Sequence, residues 1–180
     1  MSGKTKREKP GDQNAANVRR GDAVHHPQHG IGRVQSVRKR SFSGPDGAPF
    51  AQMYFKRDEV TLILPVDDVA ETVRPPMDAK QAKELLDHLE KWNGRLSTQW
   101  KARAAASQEV MERGDPFEYA EIYKGLTRLE AKGGLRHSDR THLNRSLDLL
   151  VDELSFALEK PAEQVLGLIN EAAGESAGNA

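Results

Sequence analysis

Two periodicities divide the chain into a β part and a helical part. Between residues 19 and 75, short apolar stretches alternate with turns that contain glycine and proline, which is typical of β-strands. From Asp78 onwards, apolar residues recur every three or four positions, which is typical of amphipathic helices. We therefore predict an α+β protein: a small SH3-like or Tudor-like β-barrel followed by an all-α bundle of about five helices.

The β part opens with the stretch GDAVHHPQHGIGRV, Gly21 to Val34, which predicts two strands joined by a tight turn. Pro27 disfavours helix, and the glycines after it let the chain reverse. The further strands expected here are a basic strand over residues 33–41, one over residues 51–56, and one over residues 60–64 that ends at Pro65. A barrel of this size often leaves one edge strand free to pair with a partner.

The helical part carries a start or stop signal at each predicted boundary. Trp92 continues the apolar stripe of the first helix and is expected in the core. The predicted helices run from Asp78 to Asn93-Gly94, from Ser97 or Thr98 to Gly114, from Asp115-Pro116 to Gly133-Gly134, from Ser138 through a long leucine stripe, and from Pro161 onwards.

Charge is unevenly distributed although the net charge is +0. An excess of lysine and arginine lies in the first forty residues, so a disordered basic tail is predicted over residues 1–18. That tail either keeps the protein solvated or contacts phosphates weakly. The expected division is a tail over 1–18, a β domain over 19–75, a helical domain over 76–173 and a flexible end over 174–180.

Several function classes find no support in the sequence. It contains no cysteine, no phosphate-binding loop and no hydrolase or metalloprotease motif, so we expect no enzymatic activity, no cofactor and no metal site. His25 and His26 are adjacent on a strand and should point to opposite faces. No membrane-spanning stretch or leader is evident, and a cytoplasmic protein is expected.

Trp100 allows two interpretations. It starts a helix whose next turn contains Arg103 and Ala104 instead of large apolar residues, so the ring either packs at the edge of the bundle or is exposed for stacking on bases. A second basic group surrounds the Gly133-Gly134 turn. Its members are Lys132, Arg136, Arg140 and Arg145, with Asp139 as the opposing charge.

Taken together, these motifs resemble a known family. GDAVHHPQHGIGRV with Leu64-Pro65 is similar to the RNA-polymerase-interacting domain shared by CarD/CdnL transcription regulators and the transcription-repair coupling factor. The later half also resembles CarD/CdnL proteins, over roughly residues 19–170 in all. The matching pieces there are Thr98-Gln99-Trp100, Arg103, Gly114-Asp115, Gly134-Leu135 and Ser138-Asp139-Arg140.

The resemblance implies a monomeric bacterial transcription regulator without catalytic activity, associated with the nucleoid through RNA polymerase. Its β domain would bind the polymerase β subunit through a strand edge, with Arg40, Ile63 and Pro65 at the matching positions. Its helical domain would reach promoter DNA. Trp100 would wedge into the minor groove at the upstream edge of the melted region, and Arg103 and Arg140 would lie near the DNA backbone.

The sequence departs from the family pattern directly after the tryptophan. Ala102, Ala104 and Ala105 replace basic or aromatic residues that the family often has there. The resemblance therefore leaves an alternative: a divergent paralogue that acts as a protein–protein adaptor on RNA polymerase, with little or no contact to DNA.

Overall fold

The computed structural model describes residues 18–39 and 48–174, and it confirms the α+β class. Predictions about Arg40, the turn at residues 45–47 and most of both tails lie outside the described residues. A four-stranded antiparallel sheet is followed by helices. The elements are β1 (Ala23–His26), β2 (Gly30–Lys39), β3 (Pro49–Phe55), β4 (Val60–Pro65), α1 (Val66–Thr72), α2 (Ala79–Lys91), α3 (Trp100–Arg113), α4 (Pro116–Glu130), α5 (His137–Leu158) and α6 (Ala162–Ala173).

The sheet has the order β1-β2-β3-β4, so β1 and β4 are its outer strands. The two outer edges differ. Beside β1, the His25 N–H donates to the Arg74 carbonyl at 2.7 Å, and the Arg74 N–H donates to the His25 carbonyl at 3.0 Å. In the part of the chain that the structure describes, β4 pairs only with β3. The sheet therefore presents β4 as its free edge.

The helix α1 covers one face of this sheet and was not predicted. Val69 and Val73 are buried against strand residues such as Met53 and Phe55. Residues 66–72 contain β-branched side chains, which lower the helix propensity, so the sequence did not indicate a helix here. Burial of Val69, together with Asp67 and its acidic neighbour at the helix N-terminus, favours helix here.

Two predicted helix starts are confirmed by their caps. The Asp78 carboxylate accepts the Gln81 N–H at 2.8 Å, and the Gln81 side chain returns the bond to the Asp78 N–H at 3.0 Å. The Asp115 carboxylate accepts the Phe117 N–H at 2.9 Å, with proline in the first turn of α4. Both arrangements satisfy amide groups that a helix start leaves without partners.

Two other predicted starts are wrong by one or two residues. The N-cap of α3 is Gln99, because the Ser97 hydroxyl accepts the Gln99 N–H in a turn before the helix. The N-cap of α5 is Arg136, because the Asp139 carboxylate accepts the Arg136 N–H at 3.0 Å. The helix therefore begins before Ser138. In both cases a polar side chain near the helix start accepts its hydrogen bond from a position other than the N-cap that its residue type favours.

The helical half has its own core, built from buried side chains of α2 to α6. Trp92 is an exception to the predicted stripe: α2 ends at Lys91, and the ring is half-buried under the Arg128 guanidinium, 5.6 Å from the ring centroid. None of the described helices is long and apolar enough to cross a membrane.

A buried ion pair joins the two halves. Glu153 of α5 is fully buried, and its Oε2 accepts a 2.8 Å hydrogen bond from Arg74 Nη2. The same guanidinium donates to the Gly114 carbonyl at 3.0 and 3.1 Å, and the Met77 N–H donates to the Glu153 carboxylate at 2.9 Å. Burial alone would raise the pKa of Glu153, but these bonds hold it below its usual value.

His25 lies against this pair at the junction. Its imidazole is fully buried, with Nε2 3.6 Å from Glu153 Oε2 and its ring centroid 6.4 Å from that of Tyr119. Neither ring nitrogen has a hydrogen-bond partner among the described residues. Burial lowers the pKa of His25 from 6.5 to about 4, although the charge of Glu153 opposes the change.

We expect the free energy of unfolding to decrease as pH falls from 6.5 towards 4. In that window the unfolded chain takes up protons that folded His25 excludes, and each such histidine contributes a slope of up to about 1.4 kcal/mol per pH unit. Burial and His29 also lower the pKa of His26 to about 4, and burial lowers the pKa of His142, so three histidines contribute. In the His25→Gln variant, the free energy of unfolding should depend less steeply on pH, because the contribution of His25 is removed. Urea denaturation at several pH values measures this slope.

The His137→Gln variant is the matched control, because it removes an imidazole from the exposed start of α5 and leaves the junction intact. A His25→Gln slope as steep as that of the unmodified protein would contradict the assignment.

Candidate functional site

Trp100 is the first residue of α3 and is 46% exposed. It lies within an exposed run over residues 97–102. The ammonium of Lys101 lies 5.6 Å from the centroid of the Trp100 ring. Of the two interpretations that the sequence allowed, the exposed ring is the one observed, and it leaves a flat aromatic surface free for a partner.

The buried face of α3 is partly polar, which explains why its stripe was weak in the sequence. Its four buried residues are Arg103, Ser107, Val110 and Met111. The first turn of the helix is therefore held by an arginine in place of an apolar side chain, and Trp100 is left outside the core.

Arg103 is only 4% exposed and forms a bidentate ion pair with Asp139. Its Nε donates to Asp139 Oδ1 at 2.8 Å, and its Nη2 donates to Oδ2 at 2.7 Å. Its Nη1 donates to the Ser97 carbonyl at 2.7 Å. The guanidinium is thus bound within the fold, and its position near the DNA backbone stays a prediction.

Asp139 fastens three segments together. Besides Arg103, its carboxylate accepts the Arg136 N–H at the start of α5. The hydrogen bond from Arg103 is the largest cause of a lowered pKa for Asp139, so the carboxylate is charged at neutral pH. The connection that precedes Trp100 is therefore tied to the N-terminus of α5.

Sequence reasoning gave Asp139 no such role. The spacing of three between Arg136 and Asp139 is that of a capping pair and could have indicated its local bond. Its pairing with Arg103 spans 36 residues, and nothing in the sequence signals it.

Arg140 is exposed on the first turn of α5, where the prediction requires an accessible cation. Its Nη1 lies 3.1 Å from Glu130 Oε1, and its side chain is 59% exposed. Such a surface pair is worth about 0–1 kcal/mol, so a phosphate can compete for the guanidinium. Lys132 and Arg136 are exposed nearby, whereas Arg145 points to the β half, 3.9 Å from Asp58.

Two of the predicted polymerase contacts lie on β4. Ile63 is 42% exposed and pairs with Gln52 of β3. Pro65 ends the strand and is half-buried, opposite Phe50. Ile63 therefore offers an apolar side chain on the free outer strand.

The adjacent histidines point to opposite faces, as predicted. His25 lies at the junction with Glu153, while the His26 ring stacks on that of His29 with centroids 4.7 Å apart. His29 Nδ1 lies 2.8 Å from Asp58 Oδ2. Within residues 18–39 and 48–174, no three histidine, aspartate or glutamate side chains come together as a metal site.

We expect Asp139→Asn to destabilise the protein by about 3–5 kcal/mol, because Arg103 would keep a buried and unpaired charge. Urea denaturation measures that loss. In a Trp92→Phe background, time-resolved fluorescence anisotropy should also show faster motion of Trp100. The Glu130→Gln variant removes the exposed partner of Arg140 and is the control, with an expected loss below about 1 kcal/mol. A loss for Asp139→Asn no larger than the control's would contradict the role of the pair.

Comparison with known proteins identifies both halves of the chain. Residues 19–77 match the CarD-like/TRCF RID domain, and residues 84–170 match the CarD C-terminal domain. A Bacillus subtilis (strain 168) protein named "Putative transcription factor YdeB" is 21% identical over 135 residues, which is 74% of this chain and 88% of that protein. The two domain matches follow one another in the order that the resemblance of the sequence implied. The chain belongs to the CarD-like family of transcription factors, which are not enzymes.

Proposed function

We propose that the protein binds the β subunit of RNA polymerase through β4 and stabilises the promoter open complex through Trp100. The observation that carries the proposal is the exposure of Trp100, 46%, on a helix start that a buried ion pair holds in place. The CarD-like/TRCF RID domain at residues 19–77 supports the polymerase contact.

The free edge of β4 suits an added strand. Backbone N–H and C=O groups along an outer strand give affinity, and exposed side chains such as Ile63 give selectivity. The matching edge of β1 is covered by the Arg74 backbone. We therefore assign the polymerase contact to β4, with Ile63 and Pro65 at its end nearest α1.

The DNA contact favours the open state of the promoter over the closed state. A wedge such as Trp100 has to unstack bases on intact duplex, which costs a few kcal/mol, whereas a melted edge is already unstacked. The protein therefore binds the open state more tightly and shifts the equilibrium towards it. Arg140 contacts the DNA backbone in this arrangement, and Arg103 positions Trp100 from beneath instead of binding a phosphate.

A second candidate function is the adaptor that contacts polymerase without DNA. The observation in its favour is the exposed face of α3 after Trp100, where Ala102, Ala105 and Ala106 offer no donor to a phosphate. Under this alternative Trp100 would contact protein or nothing.

Replacement of Trp100 by alanine distinguishes the two functions. Stacking on a base is worth about 1–3 kcal/mol, so we expect Trp100→Ala to shorten the open-complex lifetime roughly tenfold while polymerase binding stays intact. Trp92→Phe, which changes the half-buried tryptophan, is the control and should leave the lifetime unchanged. An unchanged lifetime with Trp100→Ala would leave the adaptor as the function.

A charge on β4 tests the polymerase contact. We expect Ile63→Glu to weaken binding of the full-length protein to the polymerase β subunit by tenfold or more, since a central apolar contact costs above 1 kcal/mol when lost. Leu166→Glu on α6 places the same charge at a side chain of similar exposure, 37% against 42%, and is the control. Equal affinities for the two variants, with both folded by circular dichroism, would exclude β4 as the docking edge.

A further inference from the structure

An apolar groove of about 290 Å³ lies where α5, α6 and the turn between β3 and β4 meet. Leu147 and Val151 of α5 and Leu166 of α6 supply its main apolar lining. Leu166 is 37% exposed, and the other two side chains are half-buried. The two helices therefore leave apolar surface open to a further side chain.

Carboxylates border this groove. Asp148, Asp152 and Glu163 line it, and Arg57 is the one cation among its lining residues. Arg57 is already paired, because its Nη1 donates to Asp152 Oδ2 at 3.1 Å. Burial, together with the charge of Asp148, raises the pKa of Asp152. Asp148 and Glu163 are exposed and form no ion pair within residues 18–39 and 48–174, so the rim keeps a net negative charge.

The combination of apolar lining and acidic rim suits the side chain of lysine or arginine. Such a side chain lays its methylene stem on apolar surface and keeps its charged head at the edge of that surface. In this groove the stem would cover Val151 and Leu166, and the head would reach Asp148 or Glu163. The same rim repels nucleic acid, because phosphates carry the same sign of charge.

The chain itself contains a segment with these side chains. Lys4, Lys6, Arg7 and Lys9 lie close together near the N-terminus, with Glu8 as the opposing charge between them. We call residues 4–9 the basic segment. It lies outside the described residues, and the sequence left open whether its cations are merely solvated or contact phosphates.

The basic segment is long enough to reach the groove. The Gly21 N–H donates to the Val34 carbonyl at 2.8 Å, and Val34 lies on β2, roughly 13 Å from Gly30 at 3.3 Å per residue. Gly30 borders the groove, since a Cβ there would lie 2.6 Å from Asp152 Oδ2. Residues 9–18 span up to about 30 Å when extended, which exceeds the distance that has to be bridged.

We propose that the basic segment docks in this groove, with lysine or arginine stems on Val151 and Leu166 and their charged heads on Asp148 and Glu163. Each exposed ion pair is weak, but the contact is intramolecular, and a short tether gives an effective concentration of about millimolar. While it is docked, the basic segment is held by carboxylates of the protein and adds no phosphate contacts to a complex with nucleic acid. The inference concerns this chain alone and does not depend on the proposed function.

Paramagnetic relaxation enhancement in the full chain tests the docking. The sequence contains no cysteine, so Thr5→Cys carries a single nitroxide label within the basic segment. The label should broaden the backbone amide signals around Val151 and Leu166. This broadening should disappear at about 1 M salt, where the screening length falls to about 3 Å. Asp148→Asn/Glu163→Gln should lower the ratio of docked to undocked segment roughly three- to tenfold.

The Glu109→Gln/Glu112→Gln double variant is the matched control, because it removes the same charge from the exposed face of α3, outside the groove. It should keep the broadening. A charge exchange adds a second test: Asp148→Lys/Glu163→Lys should abolish the broadening, and Lys6→Glu/Arg7→Glu in the same chain should restore it.

Three outcomes would overturn the proposal. An equal loss of broadening in the α3 control would mean that general charge attracts the basic segment. Broadening of a ¹⁵N-labelled chain by a separate nitroxide-labelled chain would assign the groove to a second copy. Absence of broadening around Val151 and Leu166 at low salt, in a protein whose spectrum is that of the folded chain, would show that the basic segment does not dock there.

Discussion

The ion pair between Arg74 and Glu153 connects the sheet to the helical half of the molecule. Arg74 follows α1, and its backbone pairs with β1 while its side chain reaches α5 and the end of α3 at Gly114. One residue thus connects the sheet to two helices. Because the pair is buried, loss of either partner would leave an uncompensated charge inside the protein. The pair therefore joins the sheet to the helical half, which carries Trp100 at the start of α3.

Arg103 and Asp139 repeat the same solution at the site itself. Each pair places a guanidinium under a chain segment and satisfies its remaining donors with carbonyl groups, of Gly114 in one case and Ser97 in the other. A buried ion pair contributes little net stability compared with apolar packing, but its geometry is strict. That strictness suits a surface tryptophan, which has no core of its own to hold it.

The sequence predicted the elements well because hydrophobic periodicity is a local property. The strands around the Pro27 turn and the helix starts at Asp78 and Asp115 follow from residues within one turn of each boundary. The helix α1 was missed because its Val69 becomes a helix residue only through burial against the sheet. The predicted division into domains, and the assignment of Arg40, stay predictions.

The candidate site was predictable in part, for the same reason. The exposure of Trp100 could be anticipated from the poor apolar stripe that follows it in α3. The burial of Arg103 could not, since its partner lies 36 residues away, and the 79 residues between Arg74 and Glu153 hid the junction in the same way.

The closed edge of β1 limits what the sheet can assemble. A strand can be added beside β4, but on the opposite side the Arg74 backbone already pairs with His25. Among the described residues, a sheet with one open edge pairs with one further strand at a time. The Arg74 backbone thus leaves β4 as the edge of the described sheet at which a further strand can pair.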